Sequence, residues 1–339
     1  MDYKQSGVDI EAGNEVVRRI RALARTTFTP AVLSEIGSFG GLFRLPQGTT
    51  DRVLVASADG VGTKLKVAFL TGSHGTVGVD LVNHCVNDIL VQGASPLFFL
   101  DYLATGRLRP DVAERIIEGM ARACRDNGCA LLGGETAEMP GFYQDGEYDL
   151  AGFIVGIVER ARLVDGSRIA AGDTLIALPS SGLHTNGYSL ARRIVFDRLA
   201  LTVEAYVADI GRTVGEALLE PHRSYLRPIE PLLRAGLVKG MAHITGGGIT
   251  DNLPRVLPPD LAAHIDPRSW SVPPLFEWLQ RSGQIPLGDM RRTFNMGVGL
   301  IVVCATQDAG PALDLLKQSG ELAWVIGEIG TGEREVRYA

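Results

Sequence analysis

The sequence predicts a mixed α/β protein of two α/β domains, and three observations carry that reading. The chain has 339 residues, more than one ordinary core holds, so two domains of about 150 residues each are the natural division. β-like apolar runs alternate with amphipathic helical stretches in both halves, which favours layered sheets and helices over an all-α or all-β chain. The 41 glycines gather in clusters between the expected elements, as several backbone segments lining one ligand surface would require. The polar stretch 159–172 reads as the connection, so the domains are placed at 1–165 and 166–339.

Residues 14–25 read as an amphipathic helix with Val16, Val17, Ile20, Leu23 and Ala24 on one stripe, ended by Thr29-Pro30. A glycine loop at 37–41 follows, then a strand at 53–58, a helix start at 65–70, a helix around 77–91 and a strand at 97–104. Residues 110–127 form a strong helix: Pro110 opens it, Val112, Ile116, Ile117, Met120 and Cys124 make the stripe, and Gly128 stops it. A short buried strand at 129–132 then runs into Gly133-Gly134, and 150–158 is another strand. The second half repeats the alternation: a strand at 173–178, a helix at 188–199, helices across 214–235, and strands near 261–265, 300–304 and 323–329.

Composition narrows the function classes. Apolar content of 45% with 21% charged residues is that of a soluble globular protein, and a net charge of −6 argues against nucleic acid held on a basic surface. No run approaches the roughly 18 apolar residues of a membrane helix, and the N-terminus lacks a signal peptide's apolar segment, so a cytoplasmic location is expected. Cys85, Cys124, Cys129 and Cys304 sit singly in apolar surroundings and read as buried thiols rather than disulfide or zinc ligands.

The densest chemistry lies in Asp59-Gly60-Val61-Gly62-Thr63-Lys64, a carboxylate, two glycines, a hydroxyl and an ammonium between a strand and a helix start. Backbone N–H groups there approach an anion without interference from Cβ, Asp59 suits a hard cation, and Lys64 suits phosphate oxygens. Ordinary turn chemistry with a solvated Lys64 reads the same way. It is neither a Walker A nor a Rossmann fingerprint. Asn87-Asp88 lies at the edge of an apolar helix face, where a carboxylate is costly unless paired or metal-bound; Mg²⁺ shared with Asp59 is the metal reading, and a solvated Asp88 is the other.

Gly133-Gly134-Glu135-Thr136-Ala137-Glu138 puts two carboxylates after a strand end, as a metal site or a plain acidic first turn would. The loop Ser180-Ser181-Gly182-Leu183-His184-Thr185-Asn186-Gly187 combines glycines with directional donors, and His184 is its candidate acid/base or a structural histidine. Thr245-Gly246-Gly247-Gly248 opens a helix, either as an anion site or as a simple turn with a cap. Asn295, before the strand at 300–304, offers a side-chain amide to a ligand.

Taken in order, these segments resemble the aminoimidazole ribonucleotide synthetase family, also called phosphoribosylformylglycinamidine cyclo-ligase. The resemblance runs nearly end to end, from Gly7-Val8-Asp9-Ile10-Glu11 to Trp324, through the 59–65, 86–88, 96–102, 133–140, 180–189, 245–248 and 292–295 segments. Arg21 stands where some members have Lys, and Leu183 where some have Pro. The wider superfamily includes thiamine monophosphate kinase and selenophosphate synthetase, which lack the 180–189 loop in this form. A nucleotide-binding scaffold without activity would have lost its acids, yet Asp59, Lys64, Asp88 and Glu135 are all present.

The resemblance implies a homodimer whose N-terminal sheets close a barrel across the interface, with ATP in a cleft that the C-terminal domain completes. It implies a reaction in which ATP phosphorylates the formyl oxygen of formylglycinamidine ribonucleotide and ring closure expels phosphate, giving aminoimidazole ribonucleotide. Phosphoryl transfer is largely positioning and charge neutralisation. On that basis Mg²⁺ is expected on Asp59 and Asp88 with Glu135. ATP phosphates are expected on Asp59, Gly60, Gly62, Thr63, Lys64, Asn87, Gly133, Gly134, Gly246 and Gly247. Substrate is expected on Ser180, Ser181, Gly182, His184, Asn186, Gly187 and Asn295, with Lys64 and His184 as the catalytic pair.

Overall fold

The computed structural model describes residues 30–34, 41–44 and 51–339. The helix expected at 14–25, Arg21 and most of the 37–41 loop lie outside the described residues. The first half builds a five-stranded sheet from β1 (Gly41–Arg44), β2 (Arg52–Gly60), β3 (Ser95–Thr105), β4 (Ala130–Glu138) and β5 (Tyr148–Glu159), in the order β1-β2-β5-β3-β4. All neighbours are antiparallel except β3 and β4. Helices α1 (Leu65–Thr71), α2 (Gly75–Leu90) and α3 (Pro110–Asp126) fill the intervals.

Strand periodicity divides this sheet into two unlike faces. Val53, Val55, Phe99 and Ile154 are buried under the helices. On the strands' other side Leu97, Leu132 and Phe153 are 42%, 63% and 45% exposed, an apolar surface that the described residues leave uncovered. Two glycines let α2 and α3 pack almost backbone to backbone: a Cβ on Gly78 would stand 2.1 Å from the Ile116 carbonyl oxygen, and one on Gly119 2.1 Å from that of Gly75. With the sheet on one side and α3 on another, α2 is buried along nearly its whole length.

The second half holds a six-stranded sheet of β6 (Thr174–Pro179), β9 (Gly240–His243), β10 (Leu261–Ile265), β11 (Val298–Cys304), β12 (Trp324–Thr331) and β13 (Val336–Tyr338), in the order β13-β10-β12-β6-β11-β9. A separate ribbon pairs β7 (Tyr206–Val207) with β8 (Arg212–Thr213). The helices are α4 (Tyr188–Arg192), α5 (Val214–Leu218), α6 (Leu226–Arg234), α7 (Gly248–Asn252), α8 (Pro274–Gly283), α9 (Leu287–Thr293) and α10 (Ala309–Gln318). Both faces of the central strands are covered, so β11 is a continuous apolar run: Ile301 and Val303 pack with Leu253 and Leu257, while Leu300 and Val302 pack with Ile229 and Leu316.

Several elements depart from the sequence reading. The strand expected at 129–132 continues through Gly133-Gly134-Glu135 to Glu138, because parallel pairing with β3 resumes at Gly133 after a register shift at Leu132. Gly134 fits there since a Cβ would stand 2.3 Å from an Asp101 carboxylate oxygen. The helix expected at 188–199 changes after Arg192 into a π-helical turn, Arg193–Arg198. The helical span at 214–235 is interrupted between Leu218 and Leu226, and the intervening strap faces α2.

Candidate active site

The buried α2 presents a polar stripe at helical spacing: Asp80, Asn83, His84, Asn87 and Asp88, each less than 10% exposed. Opposite it runs the strap at 219–225. Asn83 Nδ2 donates to the His222 carbonyl oxygen at 2.7 Å, and Asn87 Nδ2 to that of Arg223 at 2.9 Å. Asn87 Oδ1 accepts from the Tyr225 N–H at 2.9 Å. The side-chain amide of Asn87 is thus spent joining the two halves, which differs from its expected contact with nucleotide.

Lys64 also departs from expectation. Its Nζ donates to Asp80 Oδ1 at 2.9 Å, to the His184 carbonyl oxygen at 3.1 Å and to the Glu220 carbonyl oxygen at 2.7 Å. An ammonium has three protons to donate, and these three acceptors use them all inside a fully buried site. Burial pulls the Lys64 pKa down, and Asp80 opposes it. Burial likewise pushes Asp80 up against the pull of Lys64 and the His222 N–H. Each supplies the other's counter-ion. Lys64 pins the 180–187 loop and the strap to the Asp59–Lys64 turn rather than meeting phosphate.

His184 is fully buried as well, with φ at 61°, and its ring stacks on His222 at 3.9 Å between centroids. Its Nε2 accepts from the Ser181 N–H at 3.2 Å, and Nδ1 has no partner among the described residues. Burial, then the neighbouring His243 and Lys64, hold its pKa well below the ordinary value. A neutral, enclosed ring of this kind shapes the loop; the arrangement does not present it as the acid/base expected from the sequence.

Three further histidines complete the cluster, none singled out by the sequence reading. His84 Nε2 lies 2.9 Å from Asp59 Oδ2 and 4.0 Å from Asp88 Oδ2. His243 Nδ1 lies 2.8 Å from Asp88 Oδ1, and its Nε2 meets His222 Nε2 at 3.0 Å. Thr185 Oγ1 joins His84 Nδ1 at 2.8 Å. Burial lowers the His84 pKa, but Asp59, helped by Asp88 and Asp80, outweighs it and holds the group up at about 9. Burial raises Asp59, and His84 with the Gly60 N–H overcomes that and keeps it below its ordinary value. The spacing of His84 one turn before Asp88 was the available signal.

The glycine loops converge around this cluster. Thr63 Oγ1 meets Ser189 Oγ at 3.2 Å, joining the Asp59–Lys64 turn to the end of the 180–187 loop. Asn186 Oδ1 stands 3.2 Å from where a Gly246 Cβ would be, which puts the Thr245–Gly248 segment beside it. Asn252 reaches back to hold that segment, with Nδ2 on the carbonyl oxygens of Gly246 at 3.1 Å and Gly248 at 2.9 Å. Gly247 takes φ of 100°, which favours glycine. Asn295 is buried and spent on scaffolding: Oδ1 accepts from Ser180 Oγ at 2.9 Å and Nδ2 donates to the Gly182 carbonyl oxygen at 2.8 Å. Its expected contact with substrate is replaced by that role.

Asp59 side chain is 41% exposed at the mouth of this arrangement, whereas Asp88 lies deeper behind it. Glu135 is not brought to them within one chain. Asp59 pairs with Gly152, Gly152 with Asp101 and Asp101 with Gly134, so the Gly134-Glu135 step is three strands away, about 14 Å at ~4.8 Å per strand. Gly133 and Gly134 share that separation.

The chain matches the models of both halves of one family: AIR synthase related protein, N-terminal domain, over residues 37–158, and AIR synthase related protein, C-terminal domain, over residues 170–339. The chain belongs to the AIR synthase related family. Among its relatives, phosphoribosylformylglycinamidine cyclo-ligase of Sorangium cellulosum is 56% identical over 329 residues, covering 96% of this chain and 94% of that protein. The protein of the same name in Thermoanaerobacter sp. is 51% identical, with 98% of each chain covered. Two solved structures share the fold of this AIR synthase related chain. Thiamine-monophosphate kinase from Stenotrophomonas maltophilia has a TM-score of 0.62 at 20% identity, covering 95% of each chain. Hydrogenase maturation protein HypE in complex with ATP has a TM-score of 0.63 at 22% identity, covering 87% of this chain and 83% of that one.

Proposed function

We propose that the protein is an ATP-dependent cyclo-ligase that converts formylglycinamidine ribonucleotide to aminoimidazole ribonucleotide with release of ADP and phosphate, a step of de novo purine synthesis. The observation that carries this reading is the convergence of the 59–64, 180–189 and 245–248 loops on the Asp59–His84–Asp88 group, in a chain whose relatives bear that name along their full length. Backbone N–H groups of Gly62, Thr63, Gly246 and Gly247 suit phosphate oxygens, while that of Gly60 is held by Asp59 Oδ1 at 2.7 Å. We assign the substrate to the loop that holds Ser180, Ser181, Gly182, Asn186 and Gly187. Lys64, Asn87, His184 and Asn295 hold these loops in place from below.

The residues also suit a divalent cation. Asp59 offers an exposed carboxylate and Asp88 a second one behind it, the donor set that Mg²⁺ takes together with phosphate oxygens. When bound, Mg²⁺ would neutralise charge on the phosphates. An amide oxygen is a poor leaving group until it carries a phosphoryl group; attack by the amidine nitrogen then closes the ring and the C–O bond breaks with phosphate leaving. The chain's own part is to orient the two substrates and keep water from the phosphorylated intermediate.

Glu135 and the Gly133-Gly134 pair enter this scheme through a second subunit. Among the described residues β4 is an edge strand, and the exposed Leu97, Leu132 and Phe153 make the sheet face that a partner sheet would cover to form a barrel. Residues 1–165 would then bind nucleotide and dimerise, and residues 166–339 would complete the cleft. No described helix is long and apolar enough to cross a membrane, and we read the enzyme as cytoplasmic. Incubation with ATP, Mg²⁺ and formylglycinamidine ribonucleotide tests the assignment: aminoimidazole ribonucleotide should accumulate, and its absence from an ATP-hydrolysing preparation would refute it.

A further inference from the structure

A cavity of about 270 Å³ opens on the far side of α1 from Lys64, lined by Phe69 and Gly72 at that helix's C-terminal end. The seven residues of α1 span about 10 Å, which separates this cavity from the Asp59–Lys64 turn. Its floor is apolar, made by Leu103, Val112 and Ile116, and its rim is cationic, made by Arg107, Arg109 and Arg115.

The charge at the rim is under-compensated. Arg109 and Arg115 share one carboxylate, Asp111, at 3.7 and 3.3 Å, and Arg107 has no ion-pair partner among the described residues. Two other acids come near and are engaged elsewhere: Glu147 pairs with Lys66, and Glu138 accepts from the Leu108 N–H at 2.9 Å. Helices α2 and α3, of 16 and 17 residues, both begin here. The residues that precede them, His74 and Arg109, both line the cavity. His74 is buried with Nδ1 2.9 Å from the Tyr148 hydroxyl; burial, then Arg115 and Arg109, keep its pKa low, as a positive field would.

We propose that this cavity binds a phosphomonoester, with the phosphate on Arg107, Arg109 and Arg115 and the organic body on the Leu103, Val112 and Ile116 floor. Guanidinium forks match phosphate oxygens in pairs, which a single ammonium does not. The site is separate from the 59–64, 180–189 and 245–248 loops.

Titration calorimetry on the full-length protein tests this with three probes: phenyl phosphate, inorganic phosphate and phenol. Phenyl phosphate should bind more tightly than inorganic phosphate, and phenol should not bind measurably. Arg107→Ala with Arg109→Ala, two exposed changes that leave the core alone, should weaken phenyl phosphate at least tenfold with an unchanged circular dichroism spectrum. Leu103→Ala should reduce the advantage of phenyl over inorganic phosphate. No binding to the unaltered protein, equal affinity for the two phosphates, or equal affinity in the double variant would each overturn the proposal.

Discussion

Lys64 Nζ and Asp80 Oδ1 lie 2.9 Å apart in a site where neither side chain reaches solvent. Around this pair the ammonium also holds the carbonyl oxygens of His184 and Glu220, and the carboxylate holds the His222 N–H at 2.7 Å. Two loops of the second half are therefore fastened to one point of the first. The catalytic arrangement depends on that fastening, because a fixed geometry is what phosphoryl transfer asks of a protein.

Lys64→Ala leaves the Asp80 charge buried and unpaired, a change that costs about 3–5 kcal/mol in comparable pairs. Urea unfolding should show a loss of that order. Replacing both partners, Lys64→Met with Asp80→Leu, should recover part of it, since no charge is then stranded. A Lys64→Ala protein of unaltered stability with a raised KM for ATP would instead make Lys64 a phosphate ligand.

His184→Ala removes a buried ring stacked on His222 and leaves the Ser181 N–H without its acceptor. Loss of a large buried side chain costs about 2–5 kcal/mol. The pH profile of kcat should keep the shape of the unaltered enzyme, because a ring held neutral by burial contributes no limb to it. Disappearance of one limb in this variant would restore His184 as an acid/base.

The His84–Asp59 contact makes a stability prediction with a definite sign. His84 is held up at about 9 in the folded protein, above the ordinary 6.5. Its contribution is therefore fully present below pH 6.5 and is lost as pH rises through about 9. Melting temperature should fall across that interval, and the fall should be shallower in His84→Gln. Equal slopes for the two proteins would remove the contact from the account.

Leu132 and Phe153 stand on the uncovered face of the first sheet. Leu132→Glu with Phe153→Glu should convert a dimer of 36.3 kDa subunits to monomers, read by light scattering, and abolish turnover if Glu135 acts across the interface. A monomeric unaltered protein at micromolar concentration would contradict the barrel.

The sequence made the loops legible and their backing illegible. Glycine spacing at 59–64, 180–187 and 245–248 points to anion-binding backbone because that chemistry is local, and the structure does bring these segments together. What Lys64, Asn87, His184 and Asn295 do is not local. Lys64, Asn87 and Asn295 each reach a partner more than 100 positions away, the His184 ring stacks on a residue of a different loop, and a buried strut carries the same letters as a ligand. His222 and His243 were invisible for the same reason: they enter the cluster only when the strap and β9 are laid against α2. Paired glycines ordinarily mark a turn, which ends the expected strand at Leu132, whereas here Gly134 makes room for Asp101 within the strand.

We place Asp59, at the mouth of the converging loops, at the centre of a coupled ATP-dependent ring closure. The most direct measurement follows ADP and aminoimidazole ribonucleotide together, from formylglycinamidine ribonucleotide, in the unaltered protein and in Asp59→Asn. The amide keeps the shape and loses the charge. The account predicts equal amounts of both products from the unaltered protein and neither from the variant at normal melting temperature. Near-normal turnover by Asp59→Asn, or ADP formed without the ribonucleotide product, would contradict it.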